Sequence, residues 1–198
     1  MRCGKLLLPL LLLALGGCAL QPNRPAAESK AEAPAAPKLD PKLVAAFDEG
    51  LEHLRAERYQ PAIETFQALT ATAPELPGPW ANLGIAYAGM GKDAEAIAAL
   101  ERALQAQPNH PVAANQLAIL QRKSGRFEEA RATYQALLAA HPQFALAHLN
   151  LGVLCDLYLQ DLDCAVSAFE QFQALQTEPD AEVEKWLIEV KRRKEGQQ

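Results

Sequence analysis

The apolar residues between positions 41 and 178 recur with the period of an α-helix, and glycine and proline interrupt them at regular points. Trp80, Leu83 and Tyr87 lie at i, i+3 and i+7, which places them on one face of a helix. A second stripe of similar spacing follows Gly91 and ends before Pro108, because the residue before a proline avoids helical geometry. The pattern predicts two amphipathic helices joined by a short turn.

This unit is repeated along the chain. Small residues, alanines and prolines each recur at intervals of 34: Gly50, Gly84, Ala118 and Gly152; Ala62, Ala96 and Ala130; Pro74, Pro108 and Pro142. A fixed period of this length indicates stacked supersecondary units, and one helical hairpin cannot cover its own apolar face. We therefore predict an all-α solenoid of about four helical hairpins within residues 41–178, at about 43–76, 77–110, 111–144 and 145–178.

The second unit shows which kind of repeat this is. Its large and small positions resemble nearly the whole tetratricopeptide repeat (TPR) pattern, in the residues Trp80, Leu83, Gly84, Tyr87, Ala96, Leu100, Ala103 and Pro108. The resemblance covers about residues 43–178. It implies an α-solenoid that binds other proteins, with the first helix of each hairpin lining a concave groove.

The ends of the array depart from the pattern. The first unit has Glu49 where the pattern has leucine, as expected of an edge repeat. In the fourth unit the step from Gly152 to Ala165 is one residue longer than in the others, so its inter-helix turn is predicted to hold an extra residue.

The last segment, residues 179–198, is predicted to be a capping helix with a basic tail. Val183, Trp186, Leu187 and Val190 form an apolar stripe at helical spacing. We expect Trp186 to pack against the fourth unit, the alternative being a ligand platform. The four basic residues 191–194 indicate a solvated helix terminus whose cations favour the negative end of the helix dipole. The alternative is a contact with an acidic partner or lipid surface.

The first 17 residues have the order of parts of an export signal. Arg2 and Lys5 precede an apolar run of ten residues, Leu6–Leu15, whereas a membrane-spanning helix needs about 20. Residues 15–18 resemble the lipobox of bacterial lipoproteins, which implies that Cys18 is lipidated after cleavage. Two or more acyl chains give stable anchoring. The alternative is an ordinary signal peptide with Cys18 beside the cut site.

The residue after the cysteine, Ala19, lacks the aspartate that retains lipoproteins of Gram-negative bacteria in the inner membrane. The resemblance thus implies the outer membrane, facing the periplasm. Residues 18–40 comprise the lipidated cysteine and a tether rich in proline and alanine, a composition that does not fold on its own. Without residues 1–17, 17 basic residues face 24 acidic ones, a formal charge of −7. An acidic chain is a poor candidate for nucleic acid.

Cys155 and Cys164 are the only cysteines of the repeat region, and the periplasm is oxidising. They flank the irregular turn of the fourth unit, where a disulfide would close a short loop. The alternatives are two buried, reduced cysteines or a catalytic dithiol. The last lacks Cys-x-x-Cys spacing and an activating partner.

The sequence shows no set of catalytic residues. No serine lies in a Gly-x-Ser-x-Gly motif, and the four histidines form neither an i, i+4 pair nor a ligand cluster. A glycine-rich phosphate loop is also absent from the sequence. We predict that the protein is not an enzyme and uses no cofactor, metal or small-molecule substrate. An enzyme or metal binder with an unrecognised site is the alternative.

The resemblance maps the groove onto one face of the first helices. Its positions are Phe47, Leu51, Ala81, Ile85, Ala88, Asn115, Ile119, Arg122, Leu149, Val153, Asp156 and Leu157. Among them, Asn115 can hydrogen-bond an extended peptide backbone, and Arg122 with Lys123 can meet a carboxylate. The full carboxylate clamp of chaperone-binding TPR proteins is not reproduced. For each apolar position the alternative is packing between repeats.

Two functions follow as hypotheses. The first is a lipid-anchored periplasmic adaptor or scaffold that binds envelope proteins in its groove. The second is a dedicated assembly or piloting factor for one client complex, such as a pilus secretin, an outer-membrane assembly machine or a transport system. A permanent, stoichiometric client would distinguish the second from the first.

Overall fold

The computed structural model describes residues 40–197, and this part of the chain is built from helices joined by short turns. Its α-helices are α1 (Pro41–Arg55), α2 (Tyr59–Thr72), α3 (Pro77–Gly89), α4 (Asp93–Ala106), α5 (Pro111–Lys123), α6 (Phe127–Ala140), α7 (Ala145–Leu154), α8 (Leu162–Ala174) and α9 (Ala181–Glu195). They pair as four consecutive hairpins, and α9 packs against α8 as a single helix. The predicted all-α solenoid of about four hairpins with a C-terminal capping helix is confirmed.

Three predictions fall outside the described residues. They are the signal peptide at 1–17, the lipidation of Cys18 and the tether up to residue 39. The last residue assigned to the tether, Asp40, lies at the start of the fold. Its Oδ1 accepts a hydrogen bond from the backbone N–H of Lys42 at 2.9 Å and so caps α1.

Local sequence signals explain where the hairpins turn. In each hairpin, the turn between the first and the second helix contains one residue with a left-handed backbone. These residues are Glu57, Gly91, Gly125 and Gln160. Glycine adopts this conformation without steric cost, which accounts for its use in the second and third hairpins. The intervals between these residues are 34, 34 and 35, so the turns keep the period of the repeat apart from the extra residue in the fourth hairpin.

The two helices of a hairpin approach each other most closely at the recurring small residue. A Cβ atom at Gly84 would lie 2.6 Å from Cγ of Leu100, and one at Gly152 would lie 2.5 Å from the ring of Phe169. Both glycines lie within helices and have ordinary helical backbone conformations. Glycine is therefore required here by the close approach of the second helix, and not by an unusual backbone conformation. The large side chain of the second helix fills the space that the missing Cβ leaves.

The order of contacts between helices defines an inner face. Each first helix contacts the first helix of the next hairpin, in the pairs α1–α3, α3–α5 and α5–α7. Within residues 40–197 the second helices make no comparable contact with one another. Because the first helices lie closer together, the stack curves with α1, α3, α5 and α7 on its concave side.

The fourth hairpin corrects the prediction about its extra residue. The turn between its helices is shorter than in the other hairpins, and the first helix instead continues through a π-helical turn, Cys155–Leu159. A π-turn accommodates an inserted residue within a helix. The insertion therefore changes the end of the groove helix and leaves the inter-helix connection short.

The capping helix packs against the fourth hairpin as predicted. Val183 and Val190 are almost fully buried. The ring of Trp186 lies 6.0 Å from the ring of Phe169, measured between centroids, yet Trp186 remains 39% exposed. Its packing against the fourth hairpin is thus one-sided, because no further helix covers the outer face of α9 in the described part of the chain.

The basic end of α9 is exposed to solvent, as the sequence indicates, and its cations are also paired. Each of its four cations has a carboxylate partner, and three of these partners belong to the fourth hairpin. The pairs are Lys191–Glu170, Arg192–Glu189, Arg193–Asp156 and Lys194–Asp163. Three of the four pairs thus connect α9 to the last hairpin.

The close helix approach can be tested at Gly84. We expect Gly84→Ala to lower the free energy of unfolding by about 1–3 kcal/mol, because the added methyl group would overlap Leu100. The matched control is Gly78→Ala, whose Cβ would lie 3.4 Å from Phe47, an ordinary contact. Chemical denaturation of both variants measures the difference. Equal stability of the two variants would contradict this account of the repeat.

Candidate functional site: the concave face

The most regular feature of the concave face is a row of aliphatic side chains, one per first helix. Leu51, Ile85, Ile119 and Val153 follow each other at intervals of 34, and each is partly buried. All four are among the groove positions predicted from the sequence. Because these four side chains are only partly buried, one side of each is accessible to solvent. Together they form an apolar strip across the four hairpins.

A second predicted row serves mainly for packing. Ala81 is fully buried, and the ring of Phe47 packs edge-on against Phe66 with centroids 5.8 Å apart. Asn115 is also buried, and its Oδ1 accepts a hydrogen bond from Nδ2 of Asn150 at 3.0 Å. Leu149 and Ala88 are partly buried against neighbouring apolar side chains. For Ala81 and Asn115 the structure therefore favours packing between repeats over ligand contact.

Beside the aliphatic row lies a row of amides that the sequence analysis missed. Asn82, Gln116 and Asn150 occupy equivalent positions on α3, α5 and α7, again at intervals of 34. Nδ2 of Asn82 donates to the carbonyl of Gly78 at 2.9 Å, which leaves its Oδ1 as an acceptor. The 34-residue period alone could have identified this row. Side-chain amides offer both donors and acceptors to a peptide backbone.

An exposed apolar row follows the N-terminal ends of the same helices and was also missed. Val44, Val112 and Leu146 share one position of the repeat and are exposed, while the second hairpin has Gly78 there. An apolar cavity of ≈ 260 Å³ lies beside Gly78. Its lining residues are Leu43, Val44, Phe47, Leu69, Leu76, Pro77, Gly78 and Pro79.

The two residues of the predicted cationic anchor, Arg122 and Lys123, contact different partners in the structure. Lys123 lies 2.8 Å from Oδ2 of Asp93 on α4 and is neutralised there. Arg122 instead places its guanidinium over the ring of Tyr158, 5.3 Å from the centroid, and donates to the hydroxyl at 3.3 Å. Among residues 40–197 Arg122 has no carboxylate partner. Of the two predicted cations, only Arg122 keeps an unneutralised charge.

The predicted polar anchor Asp156 is already occupied. Its carboxylate accepts from Nη2 of Arg193, and its side chain is only 12% exposed. The neighbouring Leu157 is 64% exposed. Both residues were predicted to line the groove, but the carboxylate of Asp156 is already paired with Arg193 of α9.

The irregular end of the fourth hairpin is closed by a disulfide between Cys155 and Cys164, whose Cα atoms are 5.8 Å apart. Three carboxylates lie within or beside this loop. Asp156 and Asp163 pair with cations of α9, and Oδ2 of Asp161 accepts from Arg131 of α6 at 3.2 Å. The loop thus contacts α6 and α9 at the end of the groove.

Burial sets the protonation of two side chains near the first helices. Burial raises the pKa of Tyr134 above its usual range, while the Arg122 guanidinium acts in the opposite direction. Burial likewise lowers the pKa of His110, whose Nδ1 accepts from the backbone N–H of Ala113 at 3.2 Å and caps α5. Tyr134 therefore stays neutral, and the lowered pKa favours the neutral imidazole that this cap of α5 requires.

The described residues contain neither a candidate membrane-spanning helix nor a candidate metal-binding cluster. No helix among them is long and apolar enough to cross a membrane. No group of three or more histidine, cysteine, aspartate or glutamate side chains within residues 40–197 is arranged to hold a metal ion.

Family comparison agrees with the geometry. One family model described as tetratricopeptide repeat matches residues 52–116, and another with the same description matches residues 91–151. The chain therefore contains tetratricopeptide repeats, as the 34-residue pattern indicates.

Solved structures with low sequence identity share the fold. MamA from Desulfovibrio magneticus RS-1 superimposes with a TM-score of 0.66 at 22% identity, over 80% of this chain and 88% of that one. A thermophilic TPR protein from Thermus thermophilus gives a TM-score of 0.66 at 18% identity, over 75% and 80% of the two chains. At these identities the likeness concerns the solenoid alone.

A curated relative matches a smaller part. Superkiller complex protein 3 of Mus musculus is 30% identical over 103 residues, which is 52% of this chain and 7% of that protein. The match thus covers only a small fraction of the length of the relative.

The role of Arg193 leads to a prediction about the capping helix. Arg193→Met removes the partner of the nearly buried Asp156, and we expect the free energy of unfolding to fall by about 1–2 kcal/mol, less than for a fully buried pair. The control Lys191→Met, also on α9, breaks an exposed pair with Glu170 of α8 and should cost at most about 0.5 kcal/mol. Urea denaturation compares them, and a larger effect at Lys191 would contradict the assignment.

Proposed function

We propose that the protein is a lipid-anchored periplasmic adaptor or scaffold that binds envelope proteins in the concave groove of its TPR array. One observation carries the proposal: an aliphatic row and an amide row run side by side across consecutive first helices. Such a surface offers apolar contact to side chains and hydrogen bonds to a backbone, which are the two needs of an extended polypeptide.

The export signal and lipobox of the sequence support the location at the membrane. The pairing of Cys155 with Cys164 fits an oxidising compartment, where disulfides persist. The net negative charge argues against nucleic acid as partner. The binding role needs no catalytic group, and protein binding is the role that the TPR fold supports.

Photocrosslinking in cells tests the groove. A photoreactive amino acid at Ile119, at the centre of the aliphatic row, is expected to trap a discrete envelope protein that mass spectrometry identifies. The control is the same amino acid at Glu128, an exposed site on the second helix α6. Adducts that are the same from both sites, or absent from Ile119, would show that the groove is not the binding surface.

The anchor is tested separately by substitution. We expect Cys18→Ser to move the protein from the membrane to the soluble periplasmic fraction and to abolish incorporation of labelled palmitate, because the acyl chains supply the membrane affinity. Cys3→Ser, inside the predicted signal peptide, is the matched control and should change neither result. Membrane retention of the Cys18→Ser protein would rule out the lipid anchor.

A further inference from the structure

The capping helix α9 occupies the place next to α8 that a fifth first helix would take. It packs against α8 as α3, α5 and α7 pack against α2, α4 and α6. The end of α5 contacts the π-helical turn of the next first helix through Arg122 and Tyr158, and Asp156 of that turn contacts Arg193 of α9 at equivalent repeat positions. Continuing the period with the extra residue of the fourth hairpin therefore assigns repeat positions to residues of α9.

This assignment explains an exposed aliphatic side chain on an otherwise charged helix. Ile188 follows Val153 by 35 residues and so extends the row that contains Ile85 and Ile119. It is 62% exposed, and burial in the core does not account for it. In the same way Leu187 occupies the repeat position of Gly84 and Gly152. On this assignment the inner surface continues onto α9.

The amide row acquires a charge at each end when α9 is included. Asp48 precedes Asn82 by 34 residues on α1, and Lys185 follows Asn150 by 35 residues on α9. Both are exposed, and neither belongs to an ion pair among residues 40–197. The row thus runs from an anion through three uncharged amides to a cation.

We propose that this row selects and orients an extended polypeptide with a basic residue at one end, an uncharged and partly apolar middle, and an acidic residue at the other. The basic end lies over α1 beside Asp48, and the acidic end lies over α9 beside Lys185. Apolar side chains of the middle rest on the row that ends at Ile188. This inference rests on the proposed binding function and adds the chemistry and direction of the ligand.

The length of the ligand follows from the spacing of the helices. Packed helices lie about 8–10 Å apart, so four steps between five first helices cover about 32–40 Å. An extended chain rises about 3.3 Å per residue, which corresponds to about 10–12 residues between the two charges. A shorter segment reaches only one of the charged ends.

The test uses pools of synthetic twelve-residue peptides whose middle is randomised over alanine, valine, leucine and serine. One pool carries arginine near one end and glutamate near the other, and a second carries glutamine at both places. A benzophenone beside either end reports, by crosslinking to the purified full-length chain and mass spectrometry, which helix that end contacts. The charged pool should crosslink in the groove about fivefold more than the uncharged pool, since two exposed ion pairs add modestly to binding.

The decisive variant reverses the row. In the wild type the acidic end should label α9 and the basic end α1, and in Asp48→Lys/Lys185→Glu the two should exchange. The control, Arg58→Glu/Glu101→Lys, makes the same change of charge at an exposed turn and an exposed second-helix site and should label as the wild type. Higher salt should weaken the preference, because exposed charges are screened.

Labelling that does not change on charge reversal, or no excess of the charged pool, would overturn the orientation proposal. If a client is still trapped from Ile119 in cells, the groove function stands and only the inference about charge fails. If Ile119 also traps nothing, the groove assignment itself is wrong.

Discussion

The fold depends on the close approach of two helices at one small residue in each hairpin. At Gly84 and Gly152 the partner side chain lies where a Cβ atom would be. This contact fixes the position of the two helices of a hairpin relative to each other along their axes. That contact sets the rotation of the first helix about its own axis. Because every first helix is rotated alike, residues 34 apart point in the same direction, and a surface made of rows results.

This constraint divides the residues of a first helix into two groups. The position that faces the second helix stays small, as Gly84, Ala118 and Gly152 show. On the inner face Asn82 and Gln116 make no side-chain hydrogen bond between repeats within residues 40–197, so these positions are open to ligand contact. A stack of hairpins leaves the apolar face of its last second helix uncovered. Here α9 covers that face of α8 with Val183 and Val190. The repeat thus provides the frame and leaves the inner rows free to vary.

The period predicted the hairpins, their turns and the aliphatic row, because these depend on contacts that are local or repeat in every unit. It did not predict the partners of the long charged side chains. Lys123 and Asp156 lie on the expected face, yet Asp93 and Arg193 reach them from 30 and 37 residues away. Nor could spacing alone show that the extra residue of the fourth hairpin enters a helix, since a turn and a π-helical turn absorb an insertion equally well in sequence.

The π-helical turn makes the fourth hairpin unlike its neighbours in one practical respect. The first three hairpins present the same ends to each other, so a copy of one can in principle be inserted among them without changing the joints. The fourth hairpin joins a regular unit on one side and α9 on the other, through the disulfide loop and its carboxylates. Gene duplication or design can therefore lengthen this array only upstream of residue 145, and the fourth hairpin and α9 must be kept together as one module.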